Sequence, residues 1–278
     1  MIVELDAQSS IIDDNFIQLY INCHQPIIRV DNYRYSIDKL YDLSKVWVLV
    51  IERYDNDIYS LPRNLRKIVL GDFRRKIKNY PETLNEMILD NGFNIYVEHW
   101  PKNLRRLTTV YNFNQSLDNL PFGLEYLKIG GLYNQSLNNL PKSLKKLEFN
   151  GKYENKFNQV LDNLPDELET LMIIFGYDKN LDFLPIGLVN LHLGQYVGKL
   201  DNLPINLKRL SFPFMSKFRG SIDNLPDSIE MLELPLDYDL LIKRLPKNLV
   251  KFRASLKFVR DNQEVIDRYP NIEMLMYN

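Results

Sequence analysis

Phe113-Asn-Gln-Ser-Leu-Asp-Asn-Leu-Pro121, followed by Leu124, Leu127 and Ile129, sets the frame of this chain. A leucine or aromatic residue precedes proline at Pro62, Pro81, Pro101, Pro121, Pro141, Pro165, Pro185, Pro204, Pro226, Pro246 and Pro270. The spacings run from 19 to 24 residues, a period that signals a solenoid. Four residues before each proline stands a branched apolar side chain, as at Ile58, Val97, Leu117 and Ile266. Eight before it stands an aromatic in the first ten repeats, from Tyr54 and Phe73 to Tyr238.

Leucine or isoleucine recurs three residues after the first ten prolines, and an apolar residue six after them (Leu124 and Leu127 in the quoted repeat). Two further on the position is again mostly apolar, so the pair alternates like a short strand with one buried face. The proline sits before that strand, where its missing N–H costs no ladder hydrogen bond. The remainder of each turn is rich in Asn, Asp and Gly, which suits tight turns rather than helix. One turn cannot bury its apolar side alone, so stability must come from stacking on neighbours. Turns stacked at roughly 4.8 Å would make a spine of about 50 Å. The expected fold is a β-rich repeat solenoid with short parallel strands and mostly non-helical outer segments. Asn119, Asn139, Asn163, Asn202 and Asn224, each after an Asp or Asn, are expected to satisfy backbone groups and bridge turns.

Residues 1–45 lie outside the period and read as an N-terminal cap of mixed helix and strand, with a short helix over Asp13 to Cys23 and a strand over Pro26 to Val30. A further helical turn is expected over 38–43. Residues 46–278 read as one continuous solenoid of about 10–11 repeats of 19–24 residues with an atypical C-terminal cap. Val46 to Ile51 is strongly β-prone, with Val46 and Val48 as expected inward positions. Extra residues near Gly151–Lys156, Pro213–Lys217 and Leu256–Gln263 should bulge as loops. In the last repeat Asn262 replaces the aromatic, and a final strand is expected over about Glu273–Tyr277.

The charges nearly cancel, with 35 Lys and Arg against 36 Asp and Glu, so no general attraction to nucleic acid or to an acidic membrane follows. No apolar run reaches transmembrane length. The acidic start, Met1-Ile-Val-Glu-Leu-Asp, does not read as a signal peptide, and one cysteine, Cys23, fits a reducing interior. An intracellular location is therefore expected. Three histidines, His24, His99 and His192, and the absence of zinc-binding, nucleophile-elbow and phosphate-loop motifs argue against an enzyme and against any cofactor or metal. Cys23-His24 lacks a third partner, and His99 reads as a turn residue beside Trp100. Acidic residues dominate 1–60, whereas Arg63, Arg66, Lys67, Arg74, Arg75, Lys76 and Lys78 follow together. That run is either a solvated surface or a contact for an acidic partner or the acidic cap.

The outward strand positions vary while the inward ones do not. One column passes through Lys67, Glu86, Arg106, Tyr126, Lys146 and Thr170, and the other through Lys128, Glu148, Met172 and His192. Tyr, Met and Arg are favoured at protein interfaces. Arg106, Tyr126, Lys146 and Met172 are therefore the candidate protein-binding residues. Carbohydrate binding would call for a row of exposed aromatics, and only Tyr126 is obvious there.

The quoted stretch, with Tyr133-Asn-Gln-Ser-Leu-Asn-Asn-Leu-Pro141 and Phe157-Asn-Gln-Val-Leu-Asp-Asn-Leu-Pro165, resembles the FNIP repeat, a short leucine-rich-repeat-like unit. The resemblance covers about residues 54–260; the repeats ending at Pro81 and Pro101 keep only the skeleton. It implies a leucine-rich-repeat-like curved array used for protein recognition, with no catalytic residue. The family is abundant in social amoebae and in giant viruses of amoebae. The richness in Asn, Ile, Lys and Tyr suits an AT-rich viral genome, hence host cytoplasm, with virion association as a further placement. Relatives often carry an F-box ahead of the repeats. The alternatives to a plain protein-binding module are thus a ubiquitin-ligase substrate adaptor, docking the F-box-binding subunit through a degenerate F-box in 1–45, and a structural or virion-associated protein.

Overall fold

The computed structural model describes residues 2–9, 12, 25–149, 156–174, 176–213 and 215–277. The helix expected over Asp13 to Cys23, the Cys23-His24 pair and most of the Gly151–Lys156 loop lie outside the described residues. The chain divides into two compact units, Met1–Tyr133 and Asn134–Asn278.

In the first unit the strands are β1 (Ile2–Leu5), β2 (Ile27–Asp31), β3 (Val48–Tyr54), β4 (Lys67–Phe73), β5 (Glu86–Leu89), β6 (Arg106–Thr109) and β7 (Tyr126–Ile129). Each pairs in parallel with the next in chain order, one strand per turn, as a stacked solenoid requires. A 3-10 helix over Asp38–Asp42 links β2 to β3. Residues 1–45 thus contribute two strands to the ladder, with Ile28 and Val30 buried as the later leucines are.

Each repeat turns the same way after its proline. The Pro121 carbonyl accepts from the Leu124 N–H at 3.0 Å, closing a turn that buries Leu124. The next two N–H groups, of Glu125 and Tyr126, both donate to the Arg105 carbonyl of the preceding repeat, at 2.9 and 3.0 Å. That shared acceptor inserts one residue before the strand, so inward positions step by three, Leu124 to Leu127, and then by two to Ile129. The same geometry corrects the reading of Val48. Trp47 supplies the shared carbonyl to Arg66 and Lys67, Val48 pairs with Lys67 on the outward side, and Leu49 and Ile51 point inward after Val46.

Inside, the aromatics stack along the array. Phe93 to Phe113 and Phe113 to Tyr133 are each 6.2 Å between ring centroids, the second pair only 4° from parallel. Asparagine one residue after the aromatic holds adjacent turns: Asn94 Oδ1 accepts from the Asn114 N–H at 2.9 Å. At Gly131 the backbone takes a φ of +63°, and an added Cβ would fall 2.1 Å from the Tyr111 carbonyl oxygen, so only glycine fits without a backbone shift.

The second unit repeats this plan with β8 (Lys146–Phe149), β9 (Thr170–Ile173), β10 (Asn190–Leu193), β11 (Arg209–Ser211), β12 (Met231–Glu233), β13 (Lys251–Ala254) and β14 (Glu273–Met276), again parallel and sequential. Asn134 Oδ1 accepts from the Asn158 N–H at 2.9 Å, and Asn202 Nδ2 donates to Asp182 Oδ1 at 3.0 Å. Asn202 is one of the asparagines that recur before Leu-Pro, and it bridges to the preceding turn as expected. The extra residues at Leu256–Gln263 do not form an outward loop. They make α1 (Leu256–Asp261) and, with α2 (Gln263–Ile266), cover the last repeats. Ser255 caps α1, its Oγ accepting from the Phe258 N–H at 3.1 Å. Phe258 then lies 5.6 Å from Tyr238 and takes the aromatic slot four residues before Asn262.

Candidate functional site

The outward strand face is built by register. On the first unit Lys67, Glu86, Arg106 and Tyr126 align across β4 to β7. Lys67 Nζ meets Glu86 Oε1 at 2.8 Å. The Arg106 guanidinium lies 4.1 Å from the Tyr126 ring centroid, a cation–π contact between neighbouring strands. Arg106 stays exposed and Tyr126 half-buried, so the pair presents planar, partly desolvated groups of the kind that anchor interfaces.

Lys146 and Met172 belong to the second unit. Lys146 Nζ sits 2.6 Å from Glu148 Oε1, whose side chain is only 9% exposed, so this ammonium has a buried carboxylate to neutralise. Met172, on β9, is in register with Glu148 and His192 and is half-buried. The candidates are thus placed as two pairs, one on each unit, and three of the four (Arg106, Tyr126 and Lys146) already have a partner within the array. A further charged column escaped the sequence reading. One residue before each strand, Arg105 pairs with Glu125 at 2.9 Å, Lys145 with Glu169 at 2.8 Å and Lys208 with Glu230 at 2.8 Å. The alternation of sign at that frame position was its signal.

His192 Nδ1 lies 2.5 Å from Ser211 Oγ on the neighbouring strand. This is not the geometry of a nucleophile triad, because Glu233, the acid whose charge acts on the imidazole, stands on the strand beyond the serine rather than on the other imidazole nitrogen. Glu233 is instead held by Arg253 at 3.2 Å and by the Tyr277 hydroxyl, which also donates to the Leu234 carbonyl at 2.6 Å. Among the described residues no group of three or more His, Cys, Asp or Glu could hold a metal ion, and no helix is long and apolar enough to cross a membrane.

Burial pulls the His192 pKa below its ordinary 6.5, and the Glu233 charge offsets part of that. A folded-state pKa below the unfolded one means the unfolded chain binds the proton more tightly. Stability should then be constant above about pH 7 and fall as pH drops through 6.5. His192→Gln is expected to flatten that part of the melting-temperature profile between pH 7 and pH 5. An unchanged slope would assign the acid sensitivity to other groups.

A family model described as FNIP Repeat matches residues 133–178. Comparison with curated proteins gives no significant match. Among solved structures the chain is similar to the viral protein CroV588, described as a novel circular LRR protein, with 24% identity and a TM-score of 0.60. That match covers 84% of this chain and 44% of CroV588. YopM from Yersinia enterocolitica WA-314 gives 18% identity and a TM-score of 0.46, over 81% of this chain and 55% of YopM. The chain thus spans about half the length of these structures. The described residues form a parallel β-solenoid similar in fold to leucine-rich-repeat proteins, and residues 133–178 match the FNIP Repeat model.

Proposed function

We propose that the protein is a non-catalytic module that recognises a protein partner through its strand-lined face, within an amoebal host cell. The observation that carries this reading is the contrast between the two sides of each strand. Inward positions repeat leucine and isoleucine at almost no exposure, while outward ones differ from turn to turn and include the Arg106–Tyr126 pair and Met172. A buried ladder needs uniform side chains, whereas recognition needs different ones. A ligase-adaptor role through residues 1–45 and a virion role rest on the family resemblance; the first is an outcome of the same test, and abundance in purified particles tests the second.

The test is tagged capture from amoebal cells with quantitative mass spectrometry, comparing the full chain with Arg106→Glu/Tyr126→Ala and with Lys146→Gln/Met172→Lys. Glutamine at 146 keeps a hydrogen-bond donor for Glu148. At least one pair is expected to lose the partner by tenfold or more, about 1.4 kcal/mol, with thermal unfolding retained. Undiminished capture by both pairs would remove the strand face from the function. Recovery of the F-box-binding ligase subunit would make the protein an adaptor.

A further inference from the structure

The aromatic column of the first unit is interrupted once. Tyr54 stacks on Phe73 at 6.4 Å and Phe93 on Phe113 at 6.2 Å, but Phe73 and Phe93 make no ring contact. The amide clamp fails at the same step. Residues 74–76 are Arg-Arg-Lys where the next four repeats begin with Asn (Asn94, Asn114, Asn134 and Asn158), so no asparagine is present to accept from the next turn. Among the described residues no hydrogen bond joins residues 74–78 to residues 94–98. A cleft of about 270 Å³ opens between these two repeats.

Its walls are apolar, with Phe73 and Ile77 on one side and Phe93 and Val97 on the other. Main-chain groups also face it. The Ile58 N–H donates to the Lys76 carbonyl at 2.9 Å and the Lys78 N–H to the Ile58 carbonyl at 2.8 Å. Parallel pairing alternates direction, so the N–H and C=O of Ile77 point away from Ile58 and toward the cleft. Tyr80 lines it too, and desolvation holds its phenol well above the usual range, leaving it a hydrogen-bond donor.

The rim is cationic. Among the described residues Arg75 and Lys78 are exposed and form no ion pair within 4 Å, and Lys76 pairs with Glu98 at 3.9 Å. The nearby acids of the first unit are engaged elsewhere: Asp31 with Arg53 at 2.8 Å, Asp72 with Arg74 at 2.7 Å, and Asp57 accepting from the Lys76 N–H at 3.0 Å. The volume falls below the roughly 300–1,000 Å³ of small-molecule sites and suits one large side chain. We propose that this cleft binds an extended acidic peptide of a partner protein, seating one apolar side chain between the half-buried Ile77 and Val97, over Phe73 and Phe93, and flanking carboxylates on Arg75 and Lys78. The site is separate from the strand face, and its test does not depend on that reading.

The probe is a fluorescein-labelled heptapeptide, Glu-Asp-Glu-Phe-Glu-Asp-Glu, titrated with the full chain and followed by anisotropy. Saturable binding is expected. It should weaken by about tenfold or more with Arg75→Glu/Lys78→Glu, with Val97→Trp, which fills the cleft, and with a peptide carrying serine for phenylalanine. Arg75 and Lys78 are surface residues, so that variant should keep the wild-type circular dichroism even where Val97→Trp does not. No saturable binding, or binding indifferent to the charge reversal, overturns the proposal. Binding that the serine peptide reproduces in full overturns it as well, since attraction would then be charge alone.

Discussion

Phe113→Ala should lower the stability of the first unit by about 3–5 kcal/mol, the usual cost of emptying an aromatic site in a packed core. Phe113 is fully buried and stacks on Phe93 from one side and Tyr133 from the other. Its loss removes two stacking contacts and leaves a hole whose neighbours are pinned by their own turns. Asn94 holds the Asn114 N–H, and the turn closed by Pro121 fixes Leu124, so the walls cannot close in. Phe113→Leu should cost roughly half as much, because most of the volume is kept. Both tryptophans, Trp47 and Trp100, lie in residues 1–133, so their fluorescence in a denaturant series reports this unit directly. A midpoint that barely moves in Phe113→Ala would show that the column is not a principal source of cohesion.

Asn262→Ala is expected to destabilise the C-terminal repeats by about 2–4 kcal/mol, as expected when buried backbone partners are left unpaired. Asn262 is 4% exposed. Its Oδ1 accepts from the Ile242 N–H at 2.8 Å, while its Nδ2 donates to the Phe258 carbonyl at 3.0 Å and the Leu240 carbonyl at 3.4 Å. One side chain thus ties α1 to the repeat beneath it. Asn262→Asp keeps the acceptor and loses the donor, so it should leave Ile242 protected from hydrogen exchange while loosening α1. Equal protection of Ile242 in Asn262→Ala and wild type would refute the tie.

The proline-anchored template was legible because a solenoid core imposes one demand on every turn. Leu124, Leu144, Leu168 and Leu188 are all fully buried, and each was marked by its distance from a proline. Positions set by irregular packing were harder to see. Val48 was read as inward because alternation was counted from Val46, whereas the carbonyl of Trp47, shared by two donors, inserts a residue first. The helix at Leu256 hid behind a local insertion, and the aromatic slot moved to Phe258 rather than vanishing with Asn262. Of the candidate site, the chemistry of Arg106, Tyr126, Lys146 and Met172 could be read from the columns. That Arg106 would lie over Tyr126 and Lys146 against Glu148 depended on side-chain packing. The cleft between Phe73 and Phe93 is defined by contacts that are missing, which a template of recurring residues does not describe.

The parallel register also bears on how such a gene can change length. Glu169 and Val189 occupy the same frame position, and β9 and β10 begin at the residues after them, Thr170 and Asn190. Excising 170–189 would join Glu169 to Asn190 without altering the phase of any later turn. The inward leucine of β10 would then meet Leu147 as Leu171 now does. Replication slippage that drops or copies a whole repeat there yields a shorter or longer array with compatible surfaces at the new junction. A loss that cuts within a strand and shifts its phase by one residue would turn the inward leucine toward water. At the C-terminal end, where Asn262 and Phe258 are each used once, even a whole-repeat change removes a part with no substitute.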